Sequence, residues 1–206
     1  MAIFKPVSNG SMSSYLGICE FGILEFKDRA SEFDWSDIFI EVVVKQNNSE
    51  YDRNIQIKGA LDKEGGKITG GSVLKRLYQF FEEIGCEAGI TVDGNWENSD
   101  GSEIKDIAKY LNDNFIKHAT DKDGKSTYEP PMNYLAYFYQ EMPKVPGGKS
   151  YTRAWNKVYK NEAGNKEKLQ SDVNWMKSKG YLKEATDMAT NKAEMSGSGL
   201  ANLWTI

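Results

Sequence analysis

Histidine and cysteine are nearly missing from this chain, with one His and two Cys in 206 residues. The single imidazole, His118, closes an amphipathic stretch, where it complements a helix C-terminus rather than serving a nucleophile. Cys19, Cys86 and His118 stand far apart and have no zinc-ligand spacing. Both cysteines lie in apolar-patterned segments, which suits small buried hydrophobes better than a disulfide. Long apolar runs are missing as well. None approaches the ~18 residues needed to cross a bilayer, and MAIFKPVSNG lacks the apolar stretch of a secretory leader. A cytoplasmic protein without membrane association is expected.

Motifs for cofactor chemistry are also lacking. In GGKITGGS the lysine follows the first glycines and no Gly-Lys-Ser/Thr opens a helix, so this is not a phosphate-binding P-loop. DKDGKSTYE departs from a calcium loop, because its glycine comes too early and Lys125 occupies a ligand position. The carboxylates show no spacing that singles out a catalytic pair. The chain therefore reads as a binding protein and not an enzyme, with no cofactor and no metal.

What is present is an uneven distribution of charge. The total is −4, yet residues 143–183 carry ten Lys/Arg against three Asp/Glu, while residues 1–142 carry 15 against 24. An acidic total does not exclude a polyanionic partner, because phosphate contacts depend on where the cations sit.

The length suits one domain with a proper core. Residues 1–14 read as a flexible arm, 15–183 as a single domain and 184–206 as a flexible tail ending in LANLWTI. Tyr15–Phe26, Asp37–Lys45 and Tyr51–Lys58 read as strands, the last two by clean alternation of apolar and polar residues. KEGGKITGG reads as a glycine-rich loop leading to Ser72 as an N-cap, followed by a helix that Gly85 stops. A second helix is expected from about Ser102. Tyr134–Glu141 and the stretch from Ser150 read as strands, and Lys166–Lys179 as a last helix. Three strands, a helical insertion, two strands and a C-terminal helix match a mainly β protein of OB-fold type. That fold is a five-stranded barrel which binds oligonucleotides on its second and third strands and in the one-two and four-five loops.

SYTRAWNKVYKN (150–161) carries the functional reading. In a strand, Tyr151, Arg153, Trp155, Lys157 and Tyr159 share one face, and Thr152, Ala154, Asn156 and Val158 share the other. Rings alternating with cations stack bases and neutralise phosphates. Three buried rings would take Arg153 and Lys157 inside with them, which is costly without partners. The competing reading keeps the rings in the core, with cationic stems reaching out to water. Lys144 and Lys149 precede this strand. The barrel reading adds Tyr51, Arg53 and Phe39 from the second and third strands, and Lys27, Arg29 and Trp35 from the loop between the first two.

The phrases VVVKQNNSEYDRNIQIKG, VLKRLYQFFEEIG and SYTRAWNKVYKNE…LQSDVNWMKSKGYLKEA resemble small phage-encoded single-stranded DNA-binding proteins over roughly residues 37–183. The resemblance implies an OB-type core that coats single strands during phage replication or recombination, with no cofactor. It also implies a tail that recruits phage replication proteins, here through Trp204 and Ile206, although Glu184, Asp187 and Glu194 are its sole acids. The alternative is a phage structural or assembly protein that uses the same aromatic strand against another protein chain.

Overall fold

The alternating runs wrap into a nearly closed antiparallel barrel. The computed structural model describes residues 16–184 except 48, 50, 118–121, 124–126, 144, 146 and 147. The elements in chain order are β1 (Gly17–Asp28), β2 (Ile38–Gln46), β3 (Asp52–Gly59), β4 (Asp62–Glu64), β5 (Lys67–Gly70), α1 (Ser72–Ile84), β6 (Gly89–Ile90), β7 (Trp96–Glu97), α2 (Ile107–Phe115), β8 (Tyr134–Gln140), β9 (Thr152–Ala154), β10 (Tyr159–Lys160) and α3 (Asn165–Ser178).

The main sheet runs β10-β8-β1-β2-β3, and β9 also pairs with β8. β9 and β10 are thus two halves of one fifth strand on the free edge of β8. Every ladder is antiparallel. Among the described residues only β3 and the fifth strand meet without a ladder; across that seam Asn156 Nδ2 donates to the Gln56 carbonyl at 3.4 Å. Three meandering strands, helices before the fourth, and a fourth that returns beside the first give the OB-type barrel expected from the sequence. The arm (1–14) and almost all of the tail lie outside the described residues.

The inward face of β2 is Ile38, Ile40, Val42 and Val44, and β3 adds Ile55 and Ile57, all at 1% exposure or less. In β1 an extra residue, Leu24, interrupts the register between Ile23 and Glu25. Strict alternation would put Ile23 and Phe26 on opposite faces; the bulge re-phases the strand, so both point inward. Val73, Leu77, Phe80, Phe81 and Ile84 of α1, with Ile107 and Leu111 of α2, fill the same core. Asn112 of α2 caps β1 where β8 no longer reaches. Phe26 N donates to Asn112 Oδ1 at 3.0 Å, and Asn112 Nδ2 donates to Phe26 O at 2.8 Å, satisfying an otherwise open strand edge.

Several boundaries differ from the sequence reading. The glycine-rich loop is a hairpin, β4–β5, turned by Gly65 and Gly66 at positive φ. Ser72 is the first helical residue of α1 and makes no side-chain cap; Gly71 precedes it. α2 starts at Ile107 rather than near Ser102, because Asp106 is the residue whose carboxylate accepts from Lys109 N, at 2.8 Å. Gly85 ends α1 in the left-handed conformation, as expected. Cys86 is buried and Cys19 half-buried; both are free, and burial pushes both thiols up.

Candidate nucleic-acid interface

The stretch 150–161 is an interrupted strand. Arg153 lies opposite Tyr139 and Tyr159 opposite Leu135 on β8, and Trp155 N donates to Tyr137 O at 2.8 Å. Between Asn156 and Val158 the chain leaves the ladder. The small face now has its reason: Ala154 packs against the barrel core and Val158, fully buried, forms part of it, so larger residues there would collide with it. The ring-bearing face points out of the barrel and not into it.

Outside, α3 covers part of that face. Leu169 and Val173 of α3 form a second cluster with Leu135, Tyr137 and Leu182, and Trp155 and Tyr159 are half-buried against it. Both readings of the rings thus have a share. Lys157 Nζ sits 6.0 Å from the Trp155 ring and 5.5 Å from the Tyr159 ring, and pairs with Asp172 of α3 at 2.6 Å. Tyr159 Oη donates to the same carboxylate at 2.7 Å. Lys157 and Tyr159 are therefore committed to holding α3. Tyr151 is exposed, with the Arg153 guanidinium 5.9 Å from its ring centre.

The seam between β3 and β9 opens into a cleft of about 400 Å³ lined by Gln56, Lys58, Arg76, Glu141, Arg153 and Trp155, among others. Three of these are cations, from β3, α1 and β9. Arg153 Nε donates to Glu141 at 2.9 Å, and its two Nη groups have no hydrogen-bond partner among the described residues. Arg76 is exposed. Burial lowers the proton affinity of Lys58, and the nearby Arg153 guanidinium lowers it further. Like charges crowded over a cleft stabilise a bound anion.

A shelf of rings adjoins the cleft on the β2 side. Phe33 stacks on Phe39 at 5.0 Å, and Trp35 lies 5.7 Å from Phe33 and 6.3 Å from Phe39. Phe39 is buried beneath them, whereas Trp35 is 54% exposed. Lys58 Nζ lies 5.0 Å from the Phe39 ring and 5.8 Å from Trp35, joining shelf to cleft. Arg29 sits over Phe33 and Phe39 and is held by Glu32 and by the buried Glu41.

The fold brings Trp35, Phe39, Tyr151, Arg153 and Trp155 around one cleft, and Lys149 is exposed in the connection that leads to it. It does not bring Tyr51 and Arg53 there. Arg53 shares the inner face of β3 with Ile55 and Ile57, its Nε buried without a hydrogen-bond partner among the described residues, and Lys58 is five residues further on, ~16 Å along the strand. Lys144, Trp204 and Ile206 lie outside the described residues. Lys58, Gln56, Arg76 and Glu141 were not singled out in the sequence. Lys58 alternates with Gln56 on the polar side of β3, a visible signal. Arg76, on an exposed helix face, carried none.

No protein-family model, curated protein or solved structure matches the chain. Among the described residues no helix is long and apolar enough to cross a membrane, and no group of three or more His, Cys, Asp or Glu is placed to hold a metal ion.

Proposed function

We propose that this protein binds single-stranded DNA without sequence preference, coating it during phage replication or recombination. The observation that carries the reading is the cleft between β3 and β9. Three cations from three elements converge there, with the exposed rings of Trp35 and Tyr151 flanking them. Cations along such a track bind the backbone, and rings beside it stack with any base, at ~1–3 kcal/mol each. The cleft also borders the third strand, one of the surfaces with which barrels of this type bind oligonucleotides, and this supports the reading.

Titration of the full chain with fluorescently labelled oligo-dT across a salt series tests this. Binding at 50 mM salt is expected, with a log–log slope of about −2 if three phosphates are neutralised, on the single-strand figure of ~−0.7 per contact. Absence of binding at low salt, or affinity indifferent to salt, would falsify the reading. If the face instead meets a protein chain during phage assembly, partner capture should survive nuclease and oligo-dT should not compete.

A further inference from the structure

Glu141 borders more than the cleft. Tyr139 and Glu141 also line a second depression of about 320 Å³, whose far side is formed by Tyr181 and Lys183. With that wall in common, the two depressions are neighbours, and they lead from Lys58 past Tyr139 to the turn that ends α3.

At that turn two large rings are uncovered. Trp175 is 55% and Tyr181 69% exposed, and their centres are 5.9 Å apart. Local geometry explains the pairing. Gly180 takes a positive φ of 69° and reverses the chain, and Tyr181 N donates back to Met176 O at 3.0 Å. The reversal turns Leu182 into the second core cluster and leaves Tyr181 facing water beside Trp175. From Trp175 to Lys183 the chain holds three lysines and no carboxylate. Lys177 is taken by Glu184 at 2.9 Å, whereas Lys179 and Lys183 form no ion pair among the described residues. An uncovered ring pair rimmed by one sign of charge, beside a depression that shares a wall with a cationic cleft, matches a polyanion that carries flat apolar groups.

We infer that Trp175 and Tyr181 are a second base-stacking platform, reached by a single strand after it leaves the β3–β9 cleft, with Lys179 and Lys183 taking backbone phosphates. This rests on the reading of the cleft as a polynucleotide interface and says where the strand goes next.

The test uses the full chain and two labelled oligonucleotides, dT5 and dT15, read by fluorescence anisotropy. The W175A/Y181A variant is expected to bind dT5 within about twofold of the wild type. It should bind dT15 at least about tenfold more weakly, since each lost stack costs roughly five- to a hundredfold. K179Q/K183Q, which leaves the rings in place, should reduce the dT15 salt slope by about 1.4 and leave the dT5 slope unchanged. All four side chains belong to exposed residues, so an unchanged melting temperature will show the fold intact. Equal losses on both lengths, or no loss on dT15, overturn the platform and leave the cleft standing. A wild type that binds neither oligonucleotide overturns both.

Discussion

Lys58 reports on the cleft through its proton. Its ammonium is disfavoured by burial and by Arg153, whereas a phosphate placed between the two would favour it. Binding should therefore draw a proton onto Lys58 once the pH exceeds its value in the free protein. Affinity for oligo-dT is expected to fall as pH climbs from 8 toward the ordinary lysine value of ~10.4. Lys58→Arg, charged throughout, should flatten that profile; anisotropy titrations at stepped pH decide, and a profile the substitution leaves unaltered would refute the role. Glu141 is the counterweight, the one carboxylate lining the cleft among the described residues, bonded to Arg153. Glu141→Gln removes a negative charge from the path of the backbone and should tighten binding about two- to fivefold at low salt, the scale of an exposed ion pair. Weaker binding would mean that Glu141 orients Arg153 instead of opposing the ligand.

The element that decides how much of the ring face is open is α3. Two apolar anchors hold it, Leu169 and Val173, together with two triads of similar make-up. In one, Lys157 and Tyr159 meet Asp172; in the other, Tyr137 donates to Glu184 at 2.5 Å beside Lys177. Burial lowers both lysines, but the facing carboxylates and phenols outweigh it and leave them raised; burial and the carboxylates raise both tyrosines. Groups raised on folding stabilise the fold fully below their unfolded values, ~10 for Tyr and ~10.4 for Lys, and that stability is lost as pH rises through the folded values. The melting temperature should hold to about pH 9.5 and drop beyond it, with tryptophan emission changing first as α3 loosens from Trp155. Glu184→Gln is expected to cost about 1–3 kcal/mol at neutral pH, the scale of a hydrogen bond to a charged group, and to weaken the alkaline drop. On the opposite flank Gly22 admits Pro130 against β1; an added Cβ would lie 2.6 Å from Pro130 Cβ. Gly22→Ala should destabilise by about 1–3 kcal/mol in a denaturant melt, through overpacking. Elements with a single buried face were readable in advance: β2 and β3 by alternation, α1 by its helical apolar spacing. The broken fifth strand was not, because Val158 and Ala154 obey one packing demand and Trp155 another, from opposite sides. The triads were illegible for a related reason, since Asp172 and Lys157, or Glu184 and Tyr137, meet only after α3 has folded back on β8.

At the scale of the whole molecule, charge segregation does what the net charge of −4 conceals. The basic segment 143–183 supplies β9 and α3, and the acidic remainder lends it only a few cations, with Lys58 and Arg76 placed at the cleft. On the proposed reading, these cations would attract a polyanion and the acidic remainder would repel it, which would orient approach as well as favour contact. That division was visible as a charge count, but which acidic-half cations would cross to the basic side depended on the closure of β3 against β9. Orientation by a long-range field is a rate effect, so it can be separated from the contacts themselves. In stopped-flow mixing with labelled dT15, the association rate constant should fall about tenfold or more between 20 and 200 mM salt, with a smaller change in dissociation. Substituting Lys166 and Lys168, exposed on α3 and outside the residues lining the two depressions, with glutamate should slow association and leave dissociation nearly unchanged. If that variant instead dissociates faster at an unchanged association rate, those lysines touch the strand and the field does not steer it.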